Sequence, residues 1–191
     1  KFAYIENCNK LQNKNIKYKI LMNTNTTSFR CSWSIGVIAI TTITVIILIV
    51  SLYIIGIKDF PSSMLWLEYL LIITLAVTIM GGLCYMPTRL TIQKDNITLH
   101  KFYGSINIPI KDIIEIKTIP SSEIRFSIRI FGSGGMFGYL GIFRNPKLGK
   151  YTMYVTNLNE LILIRTNKKK YIFSCSHHKE FVELVKQNRK V

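Results

Sequence analysis

Residues 33–57 read WSIGVIAITTITVIILIVSLYIIGI, an uninterrupted run without a charged side chain. At ~1.5 Å of rise per residue a helix over this run is roughly 37 Å long, enough to cross a hydrocarbon layer of about 30 Å with some tilt. Working outward, Lys58, Asp59 and Pro61 break the run, and a second apolar stretch opens behind them with Glu68 as its single charge. The two stretches predict a pair of membrane spans, 33–57 and 64–87, joined by a short turn. They are expected to be helical, because a lone pair of segments cannot close a barrel and lipid offers no partner to a bare amide.

The chain has 191 residues and a formal charge of +15, unevenly divided. Residues 1–32 hold six basic side chains against Glu6, whereas the predicted hairpin, 33–88, holds only Lys58, Asp59 and Glu68. Residues 89–191 hold eighteen basic against seven acidic residues, a net of +11. Basic blocks flank the pair on one side, so the positive-inside rule places both termini in the cytoplasm and the short turn outside. A basic balance also raises nucleic acid as a partner. The Lys and Arg are scattered, however, and no base-reading motif accompanies them, so none is expected. The abundance of Ile, Lys and Asn accounts for part of the excess as compositional bias.

Cys8, Cys31, Cys84 and Cys175 are dispersed over tail, span and domain. That dispersal predicts reduced thiols in a reducing compartment, not a disulfide framework. Cys175-Ser176-His177-His178 lacks a second ligand pair at zinc-finger spacing, so no metal is expected. Residues 1–32 are polar and Asn/Lys-rich without a durable apolar period, the pattern of a disordered tail. Met22 is read as the natural start, with 1–21 as leader. The apolar run is too long for a signal peptide and no small-residue cleavage pattern follows it.

After Pro87 the period switches from helical to alternating. Leu90, Ile92, Ile97, Leu99, Ile106, Ile108, Ile114 and Ile116 alternate with polar neighbours, with a turn at Lys94-Asp95-Asn96. Residues 125–131 alternate as well, with Phe126, Ile128 and Ile130 assigned to the buried face. Later strands are expected at 151–156, 161–166 and 170–174, the last two joined by Asn167-Lys168-Lys169. Ser176 is read as an N-cap, and Phe181, Val182, Leu184 and Val185 form an apolar stripe at helical spacing. About seven antiparallel strands closed by one C-terminal helix is the plan of a pleckstrin-homology-like (PH-like) barrel.

Several residues carry a more specific resemblance. They are the run RIFGSGGMFGYLGIFR at 129–144, then Asn145, Leu148, Gly149, Tyr151, Tyr154 and Thr156. With them the region from Thr88 to about Lys190 resembles the bacterial PH-like domains, in particular small membrane proteins with two spans ahead of the domain. The resemblance implies a mainly-β fold at the bacterial inner (plasma) membrane, with a signature loop of Gly132, Ser133, Gly134, Gly135, Phe137, Gly138, Tyr139, Gly141, Asn145 and Gly149. It brings no catalytic residue and no cofactor. In eukaryotic relatives that bind phosphoinositides, basic residues cluster between the first two strands; here that turn offers only Lys94 beside Asp95.

Residues 131–150 are read as a long Gly-rich connection. A phosphate-loop assignment fails because no Lys-Ser/Thr follows the glycines and no helix opens after them. One reading is structural, with glycines permitting turns and the aromatics covering the domain. The other is an apolar tip flanked by Arg144, Lys147 and Lys150 that touches anionic lipid headgroups or a membrane partner. Lys168, Lys169 and Lys170 are the second candidate contact. Ser133, His177 and His178 do not assemble a nucleophile and base from sequence alone, and Glu68 is read as a tolerated interfacial charge. The expectation is a non-enzymatic, membrane-tethered binding module of three parts: tail 1–32, hairpin 33–88 and cytoplasmic domain 89–191. The rival readings are a regulatory or structural subunit of a larger membrane complex and, third, an enzyme.

Overall fold

Alternation after Pro87 becomes two antiparallel-rich sheets in the computed structural model, which describes residues 26–57 and 65–189. The tail with Cys8 and Met22, the turn at 58–64 and the side chain of Glu68 lie outside what is described. The first sheet has the order β1-β2-β3-β4, from Thr26–Arg30, Pro87–Gln93, Asn96–Lys101 and Ser105–Pro109. The second has the order β5-β9-β10-β8-β7-β6. Its strands are β5 Ile113–Ile119, β6 Ile128–Gly135, β7 Gly138–Asn145, β8 Gly149–Val155, β9 Leu161–Thr166 and β10 Lys170–Ser174. Nine strands thus follow Pro87 where about seven were expected, and the sheets do not close into a barrel.

Two faces of the six-stranded sheet bury apolar side chains, and the alternation of β9 shows why. Ile162 and Ile164 join Leu90, Leu99 and Phe173 against the first sheet, while Leu161 and Leu163 join Phe143, Tyr151 and Ile172 on the far side. The helix α3, His178–Asn188, lays Phe181, Val182, Leu184 and Val185 on the first of these cores, as its stripe predicts. Each such side chain contributes ~1.5–3 kcal/mol when fully buried. Ser176 does not cap α3. Its N–H donates to the Arg30 carbonyl at 2.9 Å, and His177 takes the position before the helix at φ 60°.

Thr26–Arg30, read as part of a disordered tail, is a strand. It pairs with β2 from Thr26↔Gln93 to Arg30↔Arg89, and Phe29 meets Phe181 edge-to-face at 5.3 Å. The strand escaped notice because Thr-Thr-Ser-Phe-Arg has one apolar residue and so no period.

Two long helices lie between β1 and β2: α1 Ile35–Ile57 and α2 Leu65–Tyr85. Helix α1 contains an apolar run, Ile35–Ile54, long enough by length and composition to cross a membrane. In α2 the apolar run among the described residues is Tyr69–Tyr85, shorter than that of α1. Among the described residues the structure therefore offers one candidate span where two were expected.

The Gly-rich stretch is not a loop. Strands β6 and β7 form a hairpin from Ile128↔Arg144 to Gly135↔Gly138, turning at Met136-Phe137. The buried face assigned to Phe126, Ile128 and Ile130 is also overturned: Ile128 is 73% exposed. β6 is the outermost strand of its sheet, and the register shifts between Arg129 and Phe131.

Candidate functional site

Glycine 132 and glycine 141 sit opposite each other in the hairpin at φ 115° and 122°. A Cβ on Gly132 would strike the Leu140 carbonyl, and one on Gly141 the Phe131 carbonyl. Only residues without a side chain let the two backbones approach this closely. Ser133 then locks the turn, its Oγ donating to the Met136 carbonyl at 2.6 Å.

This tight tip packs on the long helices. The Phe137 N–H donates to Thr41 Oγ1 of α1 at 2.9 Å, in a buried contact. The Phe137 ring lies against Gly82 of α2, and Gly135 approaches the Ile40 side chain. Sequence reading missed Thr41. The signal was there, in a Thr-Thr pair within an otherwise aliphatic stretch.

The entry into α1 is bonded to the domain as well. Ser34 N–H donates to the Thr156 carbonyl at 2.9 Å, and Thr156 Oγ1 donates to the Ser32 carbonyl at 2.7 Å. Ser32 Oγ donates to Glu160 at 2.6 Å, and the buried Ser174 Oγ accepts from the backbone of Thr156 and Asn157. At the other junction, Phe102 and Tyr103 N–H donate to the carbonyls of Met86 and Cys84, and Lys101 Nζ stands 4.8 Å above the Tyr85 ring. Both helices are thus held to the sheets by short, bonded connections.

Cross-strand register assigns the remaining signature residues to faces. Tyr171, Thr152, Ile142 and Phe131 form one row across β10, β8, β7 and β6. Phe131 at its end is 75% exposed. Arg144 and Lys150 pair in the row of Ile128, two residues further along. At Gly135, the same face of β6 meets α1. Lys147 lies in the β7–β8 turn, its N–H donating to Asn145 Oδ1 at 2.8 Å. Lys170 Nζ donates to the Leu148 carbonyl at 2.6 Å, so the two basic groups converge at one end of the sheet, with Lys168 and Lys169 exposed in the neighbouring turn. Arg144, Lys147 and Lys150 do not flank the tip. They lie at the opposite end of β7, roughly 23 Å away at ~3.3 Å per residue.

Asn145 and Gly149 are structural members of the signature. Buried Asn145 donates to the Glu123 carbonyl and to Ser127 Oγ, both at 3.1 Å, which pins the segment 121–127 to the sheet. Tyr139 faces that segment, on the other side of the sheet from Phe131.

A family model described as Bacterial PH domain matches residues 88–189, over half of the chain. The chain belongs to this family. No curated protein and no solved structure matches it.

Titratable groups of this PH domain are shifted by burial. Desolvation pushes the Cys31 thiol up to about 12 and raises Cys175 further, with Cys31 and Glu160 adding to the effect. Desolvation also raises Tyr151, Tyr154 and Tyr171. Among the described residues no group of three or more His, Cys, Asp or Glu is placed to hold a metal. PH domains are binding modules in general.

Proposed function

We propose that the chain is a membrane-tethered, non-enzymatic binding module of the bacterial inner membrane, with its PH domain lying against the anionic inner leaflet. In this reading both long helices span the membrane and both termini face the cytoplasm. The observation that carries it is the row of Phe131 and Ile142 beside the row of Arg144 and Lys150, on the sheet face that α1 meets at Gly135. The exposed Phe131 and Ile128 next to the exposed Arg144 and Lys150 suit a headgroup region, where each basic residue near the surface contributes up to ~1 kcal/mol. The bonded helix connections favour the same reading, since they hold the domain close to any bilayer that α1 crosses.

The test uses the full chain in vesicles, with Phe131→Trp as a fluorescent reporter and doxyl-labelled lipid as a shallow quencher. Quenching is expected with anionic vesicles, falling at high salt and in an Arg144→Glu/Lys150→Glu variant. Absence of quenching at any salt removes this face from the bilayer, and a partner co-purifying in mild detergent would then favour the subunit reading.

A further inference from the structure

On the opposite face of the six-stranded sheet, away from Phe131 and Ile142, the segment 121–127 roofs a cavity of about 490 Å³. That volume falls in the range of small-molecule sites. Its floor is apolar, built by Phe143 and Met153 with the Tyr151 ring, and Ile124 and Leu158 line its sides. Hydrogen bonds hold the roof in place. Asn145 Nδ2 donates to the Glu123 carbonyl, Tyr151 OH donates to Ser127 Oγ at 2.6 Å, and Ser127 Oγ donates to the Ile124 carbonyl at 2.6 Å. These bonds satisfy the deepest polar atoms, so the interior asks for hydrocarbon and not for further hydrogen bonds. Charge is present at one lining residue, Arg125, which is exposed and accompanied by the exposed Ser121 and Ser122.

We propose that this cavity binds a single-chain anionic amphiphile, such as a long-chain carboxylate. Its tail lies on Phe143, Tyr151 and Met153, and its head meets the Arg125 guanidinium. A guanidinium with neighbouring hydroxyls is a fitting donor set for a carboxylate or phosphate. The apolar floor distinguishes the ligand from a free inorganic anion. The inference does not rest on the bilayer-facing reading, because the two surfaces are on opposite faces of the sheet.

The experiment keeps the full chain in lipid nanodiscs and uses a dodecanoate bearing a terminal diazirine, with crosslinks mapped by mass spectrometry. Saturable labelling is expected in peptides covering 121–127 or 139–158, competed by excess dodecanoate and not by dodecyltrimethylammonium. Arg125→Gln, an exposed change, should lower saturable labelling at least tenfold, and Leu158→Trp, which fills the cavity, should abolish it. Labelling confined to α1 and α2 overturns the proposal. So does equal labelling of wild type and Arg125→Gln, or equal competition by the cationic amphiphile.

Discussion

Placing a methyl group on Gly132 or Gly141 tests the hairpin most directly. Each glycine sits in the positive-φ region, where a side chain costs about 1–3 kcal/mol. Each Cβ would also strike a carbonyl of the facing strand and come within 2.9 Å of the partner glycine's Cα. Backbone cannot rotate away as a side chain does, so the strands must part, and overpacking of this kind costs a further ~1–3 kcal/mol. Gly132→Ala and Gly141→Ala should therefore each lose roughly 2–6 kcal/mol, a large share of the 5–15 kcal/mol typical of a domain. The control lies in the same strand. A Cβ on Gly134 meets only the flexible Arg129 side chain, nearest at 3.1 Å, so Gly134→Ala should stay within about 0.5 kcal/mol. Thermal unfolding of the full chain in mild detergent, followed by near-ultraviolet circular dichroism, reads the difference. At ~4–8 °C per kcal/mol for a domain of this size, the sensitive variants should melt at least ~8 °C below wild type. If Gly132→Ala melts alongside Gly134→Ala, the reasoning about the glycine pair is wrong.

Two further predictions follow from buried groups. Thr41→Val leaves the Phe137 N–H without its acceptor, a loss of about 1–3 kcal/mol, and should speed exchange of that amide roughly tenfold or more while Thr41→Ser does not; unchanged exchange in Thr41→Val would show the contact to be idle. Because the folded state keeps Cys31 protonated after the unfolded chain has released its proton, stability should fall as pH rises from about 9 towards about 12, by ~1.4 kcal/mol per pH unit from this thiol. Cys31→Ala should flatten that part of the slope, and denaturation curves of equal pH dependence would refute it.

How much of this was readable from residues alone depended on side chains carrying a pattern. Leu90 and Ile92, the β9–β10 pair and the stripe of α3 were legible because buried and exposed positions differ in polarity along each element. The Gly-rich hairpin was opaque for the opposite reason: glycine has no side chain to mark a face, so a strand of glycines reads as a loop. Ile128 misled because alternation marks two faces of a strand but says nothing of what covers either, and at an edge nothing does. The reach of Lys170 to the Leu148 carbonyl could not be foreseen, since it follows from β10 entering the sheet parallel to β8 and between β8 and β9.

The pairing of β1 with β2 has a consequence for how the protein is made. A ribosome delivers Thr26–Arg30 before either long helix and Pro87–Gln93 after both, so β1 must wait, without its sheet neighbour, while some sixty residues pass. Local contacts form early and distant ones late. Completion of the first sheet therefore waits on the helical segment: Arg30 can pair with Arg89 only once both long helices have been made. A fragment beginning at residue 88 would lack that strand, exposing the edge of β2 and uncovering Phe181 where Phe29 belongs. Closing the first sheet thus brings together the two ends of the helical segment, Arg30 against Arg89.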